Sequence, residues 1–224
     1  MMANFTRIDV FKEMKKSGIV PVFYHPNLMI CKRIVRLCYN AGFTVFEFTN
    51  RGEQANLIFK ELIEYVREEF EDLMLGIGSV VDASTAAYYI GIGADFVVSP
   101  ILSSEMAKVC NRQKIGWIPG CGTLTEISNA ESMGAEVIKI FPSLSVGGPQ
   151  FVKDIKGPFP WTSIMPTGGV TTEKDNLYSW FEAGVHCVGI GSNLIPNEMI
   201  NDESSLKEYL IEVSKNLKQV RSNL

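Results

Sequence analysis

The sequence predicts an α/β protein, a (β/α)8 TIM barrel in a single domain with an N-terminal helix. Three observations carry this. Eight short apolar runs of strand character each precede a stretch with helical spacing. No Pro/Ser-rich linker and no charge run divides the alternation across the 224 residues. Polar residues and glycines gather after the strands rather than before them, which suits a site built on the C-terminal ends of barrel strands. An open doubly wound sheet is the alternative. It calls for a Gly-x-Gly-x-x-Gly turn after the first strand, and Tyr24-His25-Pro26-Asn27 stands there instead.

The elements follow in order. Residues 7–17 place Ile8, Phe11 and Met14 on one helical side, and Gly18 ends that helix. The barrel spans residues 18–196. Its strands are Ile19 to Phe23, Phe43 to Phe48, Leu73 to Ile77, Phe96 to Val98, Trp117-Ile118, a run around Lys139, Ser163 to Met165, and Cys187 to Gly189. Each is short, apolar and rich in branched or aromatic residues. The helices between them are Leu28 to Tyr39, Glu53 to Phe70, Ala83 to Ile92, Ser104 to Asn111, Leu124 to Met133, Pro149 to Ile155 and Lys174 to Ala183. A last helix covers residues 205–220, so the whole of 1–224 reads as one domain.

Composition excludes several classes. A net charge of −4 gives no general attraction to nucleic acid or to an anionic membrane. No run approaches the roughly 20 apolar residues of a membrane helix. Met1 to Ser17 carries charges throughout and lacks an apolar segment, so it does not read as a signal peptide. The five cysteines form no Cys-x-x-Cys pair and no metal spacing with His25 or His186, the two histidines. The expectation is a cytoplasmic protein with reduced, buried thiols and without metal or cofactor.

The chemistry centres on residues 135–142, Ala-Glu-Val-Ile-Lys-Ile-Phe-Pro. Alternation puts Val137, Lys139 and Phe141 on one face and Ile138 with Ile140 on the other. Both faces are largely apolar, as in a parallel strand covered on both sides. Desolvation disfavours an ammonium ion, and a free amine is a nucleophile. A lysine guarding a sheet edge is the alternative reading. Glu47 interrupts Val45-Phe46-Glu47-Phe48, and the bulky Phe46 and Phe48 suit the side facing the helices, which turns Glu47 inward. A carboxylate near that lysine is either a buried ion pair or a general acid/base beside a Schiff-base lysine. Arg51, four residues on, has the rigid fork that suits a carboxylate. Gly76 and Gly78 share a face, and leave room for a ligand or for tight packing. Thr167-Gly168-Gly169 and Gly189-Ile190-Gly191-Ser192 follow the last two strands, where (β/α)8 barrels bind phosphate. His186 reads as structural and His25 as a turn residue.

With these residues in place, the chain resembles the 2-keto-3-deoxy-6-phosphogluconate (KDPG) / 4-hydroxy-2-oxoglutarate (KHG) aldolase family, class I aldolases on a (β/α)8 barrel. The likeness runs from Gly18 to Pro196. Val20-Pro21-Val22 resembles the family's first strand, and Val45 to Arg51 its V-x-E-x-T-x-R motif. Gly76-Ile77-Gly78-Ser79, Ser99-Pro100, Pro119-Gly120, Gly147-Gly148 and Gly157-Pro158-Phe159 also fit. Lys139-Ile140-Phe141-Pro142 looks like the K-x-F-P of the Schiff-base lysine, and Pro166 to Val170 like PTGG(I/V) of the phosphate site. The resemblance implies Lys139 and Glu47 as catalytic residues. It implies Arg51, Ser79, Pro100, Phe141, Thr167, Gly168, Gly169, Gly191 and Ser192 as substrate-binding residues. It also implies a small 2-keto acid substrate, a homotrimer and no metal. Four departures stand out. Ser79 replaces a usual Thr and keeps the hydroxyl. Asn50 and Gly52 flank Arg51 where Leu and Thr are common, which bears on substrate choice. Ile101 replaces a Gly, and the turn after the last strand is one residue longer than GGS. A phosphosugar isomerase or epimerase barrel would share the phosphate loops without an imine. A non-catalytic sugar-phosphate-binding barrel would need neither Lys139 nor Glu47.

Overall fold

The computed structural model describes residues 3–224. Met1 and Met2, the start of the segment that does not read as a signal peptide, lie outside the described residues. Helix α1 (Arg7–Ser17) begins where the Thr6 hydroxyl accepts from the Asp9 N–H and ends at Gly18, φ 75°. Then come β1 (Ile19–Phe23), α2 (Leu28–Asn40), β2 (Val45–Thr49), α3 (Ala55–Glu69), β3 (Met74–Gly78) and α4 (Ala83–Gly91). The middle holds β4 (Phe96–Val98), α5 (Ser104–Gln113), β5 (Gly116–Ile118), β6 (Gly120–Cys121) and α6 (Leu124–Ser132). The chain closes with β7 (Ile138–Ile140), α7 (Gly148–Lys156), β8 (Ile164–Pro166), α8 (Lys174–Glu182), β9 (Val188–Ile190) and α9 (Glu203–Ser222). Side chains of Asn27, Asp82, Ser103, Thr123 and Asp202 cap five helix starts, each accepting from backbone N–H groups that the helix leaves unpaired.

Most boundaries shift by one or two residues from the sequence reading, and two of the differences have a local cause. The fifth strand is split into β5 and β6 because Pro119 between them has no N–H to donate. Its carbonyl still accepts from the Lys139 N–H at 2.9 Å. The second barrel helix starts at Ala55 rather than Glu53, because the chain first turns through an Ala55 N–H to Gly52 O bond of 3.2 Å.

All strand pairs are parallel. Six run in the order β5-β4-β3-β2-β1-β9, and three in the order β6-β7-β8. A parallel bridge joins Thr167, just past β8, to Gly189 of β9.

Two apolar clusters divide the core. The larger packs the outward strand residues, Phe46, Phe48, Ile138 and Ile140 among them, against the surrounding helices. The smaller draws Val20, Val45, Met74, Phe96, Val98, Ile118, Val137, Met165 and Cys187 together with Val10, Phe11 and Met14 of α1. Each such side chain contributes roughly 1.5–3 kcal/mol on burial. That anchors α1 against the N-terminal ends of the strands. The inward residues one step further along the strands are polar: Glu47, Thr49, Lys139 and Thr167, all buried. Among the described residues no helix is long and apolar enough to cross a membrane.

Candidate active site

Lys139 and Glu47 come from strands in different sheets, so only the packing of the two sheets against each other brings them together. Lys139 Nζ lies 3.9 Å from Glu47 Oε1, with 5% of the lysine and 1% of the glutamate exposed. Burial pushes the Glu47 carboxyl above the ordinary glutamate range. The positive charges of Lys139 and Arg51 oppose that shift without cancelling it. Glu47 Oε2 has no hydrogen-bond partner. The pair is therefore a charge contact longer than a hydrogen bond, with one buried acceptor left open, and not a saturated structural salt bridge.

The two glycines of β3 serve packing rather than ligand room. A Cβ on Gly78 would sit 1.8 Å from Glu47 Oε1, so the carboxylate lies directly over that glycine. A Cβ on Gly76 would sit 2.3 Å from the Phe96 ring. Gly76 thus admits a core aromatic, and Gly78 admits the glutamate.

Above the pair opens a cavity of ≈ 360 Å³. Of the residues singled out in the sequence, Arg51, Phe141, Thr167, Gly168, Gly169, Gly191 and Ser192 line it. The Phe141 ring stands 5.2 Å from Lys139 Nζ, which links the buried lysine to the cavity wall. Arg51 is exposed, and its Nε donates to Ser79 Oγ at 3.3 Å. Ser79 holds φ 59°, a left-handed conformation uncommon outside glycine. Lys139 and Glu47 themselves, and Ser79 and Pro100, are not in the lining. Ser79 reaches it through Arg51, while the Pro100 backbone packs where a Cβ on Gly120 would come within 2.3 Å. Tyr24, Thr49 and Asn193 also line the cavity and were not singled out as ligands. The signal for Thr49 was present, since it shares the inward face with Val45 and Glu47.

The glycine loops are shaped by their neighbours. Gly168 and Gly169 hold φ 89° and 91°. Ser143 ties this loop to the end of β7, its Oγ donating to Gly168 O at 2.7 Å and its N–H to Thr167 O at 2.9 Å. A Cβ on Gly169 would meet Leu144 at 2.4 Å, so a side chain there would run into protein. The Thr167 hydroxyl is buried without a hydrogen bond, and Gly189 opposite it has no room for a Cβ. After β9 the chain turns, with Leu194 N–H and Ile195 N–H both donating to Gly191 O at 2.8 and 3.1 Å. Among the described residues the amides of Gly169, Ser192 and Asn193 donate to no backbone carbonyl. Two loops thus present unused N–H groups at one side of the cavity, the arrangement that holds an anion.

The histidines and thiols stand apart from this chemistry. His25 Nδ1 accepts from the Asn27 N–H at 3.0 Å in a turn, and His186 Nε2 bonds Phe11 O at 2.8 Å. All five cysteines are free and buried, and burial pushes the Cys121 thiol nearest Lys139 in register up to about 12.

Known proteins resemble this chain in sequence and in fold. The family model described as KDPG and KHG aldolase matches residues 10–208. A 2-dehydro-3-deoxy-phosphogluconate aldolase of Pseudoalteromonas atlantica is 30% identical over 192 residues, 86% of this chain and 85% of that protein. A 2-dehydro-3-deoxy-6-phosphogalactonate aldolase of Escherichia coli is 32% identical over 69% of this chain and 73% of its own length. The solved KDPG aldolase of Legionella pneumophila, with pyruvate captured as a covalent carbinolamine, superposes with a TM-score of 0.82 at 27% identity. That match covers 91% of this chain and 97% of the other. With the family model spanning most of its length, this chain belongs to the KDPG and KHG aldolase family.

Proposed function

We propose that Lys139 forms an imine with the ketone of a 2-keto-3-deoxy sugar acid and that Glu47 moves the protons of the cleavage. The lysine–carboxyl contact of 3.9 Å between two buried side chains carries this reading. The amine adds to the ketone carbon, and Glu47 protonates the resulting hydroxyl so that water leaves. Glu47, now a carboxylate, takes the proton from the hydroxyl two carbons along the chain. The carbon–carbon bond breaks, an aldehyde departs, and the electron pair flows into the iminium to give an enamine. Protonation of the enamine carbon and hydrolysis release pyruvate and free Lys139. The iminium is the electron sink that the ketone alone is not. A carboxyl whose ionised form burial disfavours is suited to giving a proton as well as taking one.

Arg51 and Ser79 receive the substrate carboxylate, and Thr167 supplies a hydroxyl that has no protein partner. Gly168, Gly169, Gly191 and Ser192 receive the phosphate, mainly through backbone N–H groups. The substrate is then KDPG, cleaved to pyruvate and glyceraldehyde 3-phosphate, with 4-hydroxy-2-oxoglutarate as the shorter substrate giving glyoxylate. In the same reading the strands close as one (β/α)8 barrel domain. Support comes from the Thr167–Gly189 bridge, the direct succession of β5 and β6 about Pro119, and an interior cluster fed from all around. A homotrimer in the cytoplasm completes the proposal, resting on the family resemblance.

Borohydride reduction in the presence of pyruvate tests the imine. The expected result is one pyruvate-derived adduct on Lys139 and loss of activity. Lys153, held by Glu182 at 2.7 Å, and Lys156, bonded to Thr162 O, are the internal controls on α7. An adduct on either of these, or none, overturns the mechanism.

A further inference from the structure

The two departures that flank Arg51 each face a tyrosine. Asn50 Oδ1 accepts from the Tyr89 hydroxyl at 2.7 Å, which pins the start of the Arg51 loop to α4. Gly52, at φ 98°, lies under Tyr24: a Cβ there would come within 2.4 Å of the Tyr24 hydroxyl oxygen. A threonine at that position would drive the phenol away. The Tyr24 ring is also held from the other side, edge-on to Phe48 with centroids 5.6 Å apart at 60°. The phenol therefore has a fixed tilt.

Its hydroxyl is unused. The hydroxyls of Tyr39, Tyr89 and Tyr209 donate to Asp72, Asn50 and Asn193 O, whereas that of Tyr24 makes no hydrogen bond among the described residues. Tyr24 lines the cavity with Arg51 and Ser192. It follows β1, and β1 lies between β2, which leads to Arg51, and β9, which leads to Ser192. Tyr24 thus stands between the carboxylate end and the phosphate end of the site. It is half-buried at the wall, whereas Glu47 is sealed below beside Lys139.

We propose that Tyr24 is a specificity-determining residue whose hydroxyl bonds the substrate hydroxyl on the carbon next to the phosphate-bearing one. This rests on the aldolase reading above. Glu47 serves the hydroxyl at the bond that breaks, and Tyr24 serves the next one outward. Asn50 and Gly52 are the residues that keep the tyrosine and the arginine in one frame.

The test runs in the direction of addition, with pyruvate and two aldehydes. One is glyceraldehyde 3-phosphate, and the other is 3-hydroxypropanal phosphate, which lacks only the hydroxyl in question. Tyr24→Phe keeps the ring and its packing. It should lower kcat/KM for glyceraldehyde 3-phosphate about three- to tenfold, the worth of one neutral hydrogen bond. It should leave kcat/KM for the deoxy aldehyde and borohydride trapping of pyruvate at Lys139 unchanged. Equal losses on both aldehydes, or no loss on either, overturn the proposal while the trapping result leaves the aldolase reading standing. Failure of the unaltered protein to trap pyruvate removes that reading and this proposal with it.

Discussion

Gly78→Ala tests whether the placement of Glu47, rather than its mere presence, controls the chemistry. The new methyl carbon would lie 1.8 Å from Glu47 Oε1, 2.5 Å from Cδ and 2.8 Å from Cγ. Ordinary contact begins at 3.4 Å, so the whole carboxyl end must move out of the position it holds beside Lys139. Gly78 is not among the glycines in the left-handed region, so the backbone itself accepts alanine. Overpacking of this kind costs about 1–3 kcal/mol, within the 5–15 kcal/mol that keeps a typical domain folded. A displacement of about 1 Å costs on the order of 10²-fold in rate, and full loss of an acid/base group about 10² to 10⁴. A fall in kcat between those bounds is expected in a coupled assay of pyruvate release. Gly76→Ala is the matched control. Its Cβ would meet the Phe96 ring at 2.3 Å, so its nearest clash is with that core aromatic and not with the Glu47 carboxyl. Melting temperature should fall in both variants and kcat should collapse only in Gly78→Ala. A folded Gly78→Ala protein with kcat close to the unaltered one would refute the reasoning.

Two further outcomes follow from buried polar groups. The Glu47 carboxyl lies above its unfolded value, so the fold favours its protonated form. Its contribution to stability is full below the ordinary glutamate range and is lost as pH rises through the raised value. Glu47→Gln should remove that part of the decline in melting temperature with rising pH, while lowering kcat about 10² to 10⁴; an unchanged pH slope would count against the shift. Thr167→Val removes a buried hydroxyl that has no partner, so stability should hold or rise by up to about 1 kcal/mol. The same variant should lower kcat/KM for cleavage, and a clear drop in melting temperature would mean that the hydroxyl is bonded within the protein.

What the sequence determined by itself was local and periodic. The two-residue period of a strand turned Glu47 and Lys139 inward and sent Phe46, Phe48, Ile138 and Ile140 to the helices, and the core clusters divide along that line. Helix starts were legible for the same reason: Asn27, Ser103 and Thr123 satisfy N–H groups only two or three residues away. Contacts between distant segments were not legible, because they depend on strand order and register. The sequence left Gly76 and Gly78 open between ligand room and packing. Only the tertiary structure set Phe96 against one and Glu47 against the other. Likewise Asn50 and Gly52 read only as departures bearing on substrate choice, with no partner named, until α4 and the end of β1 brought Tyr89 and Tyr24 onto them. The 3.9 Å between Lys139 and Glu47 belongs to the same class, since strands that are not neighbours meet only across a filled interior. Local spacing chooses which way a side chain points; the packing of the two sheets about a shared interior decides what it meets there.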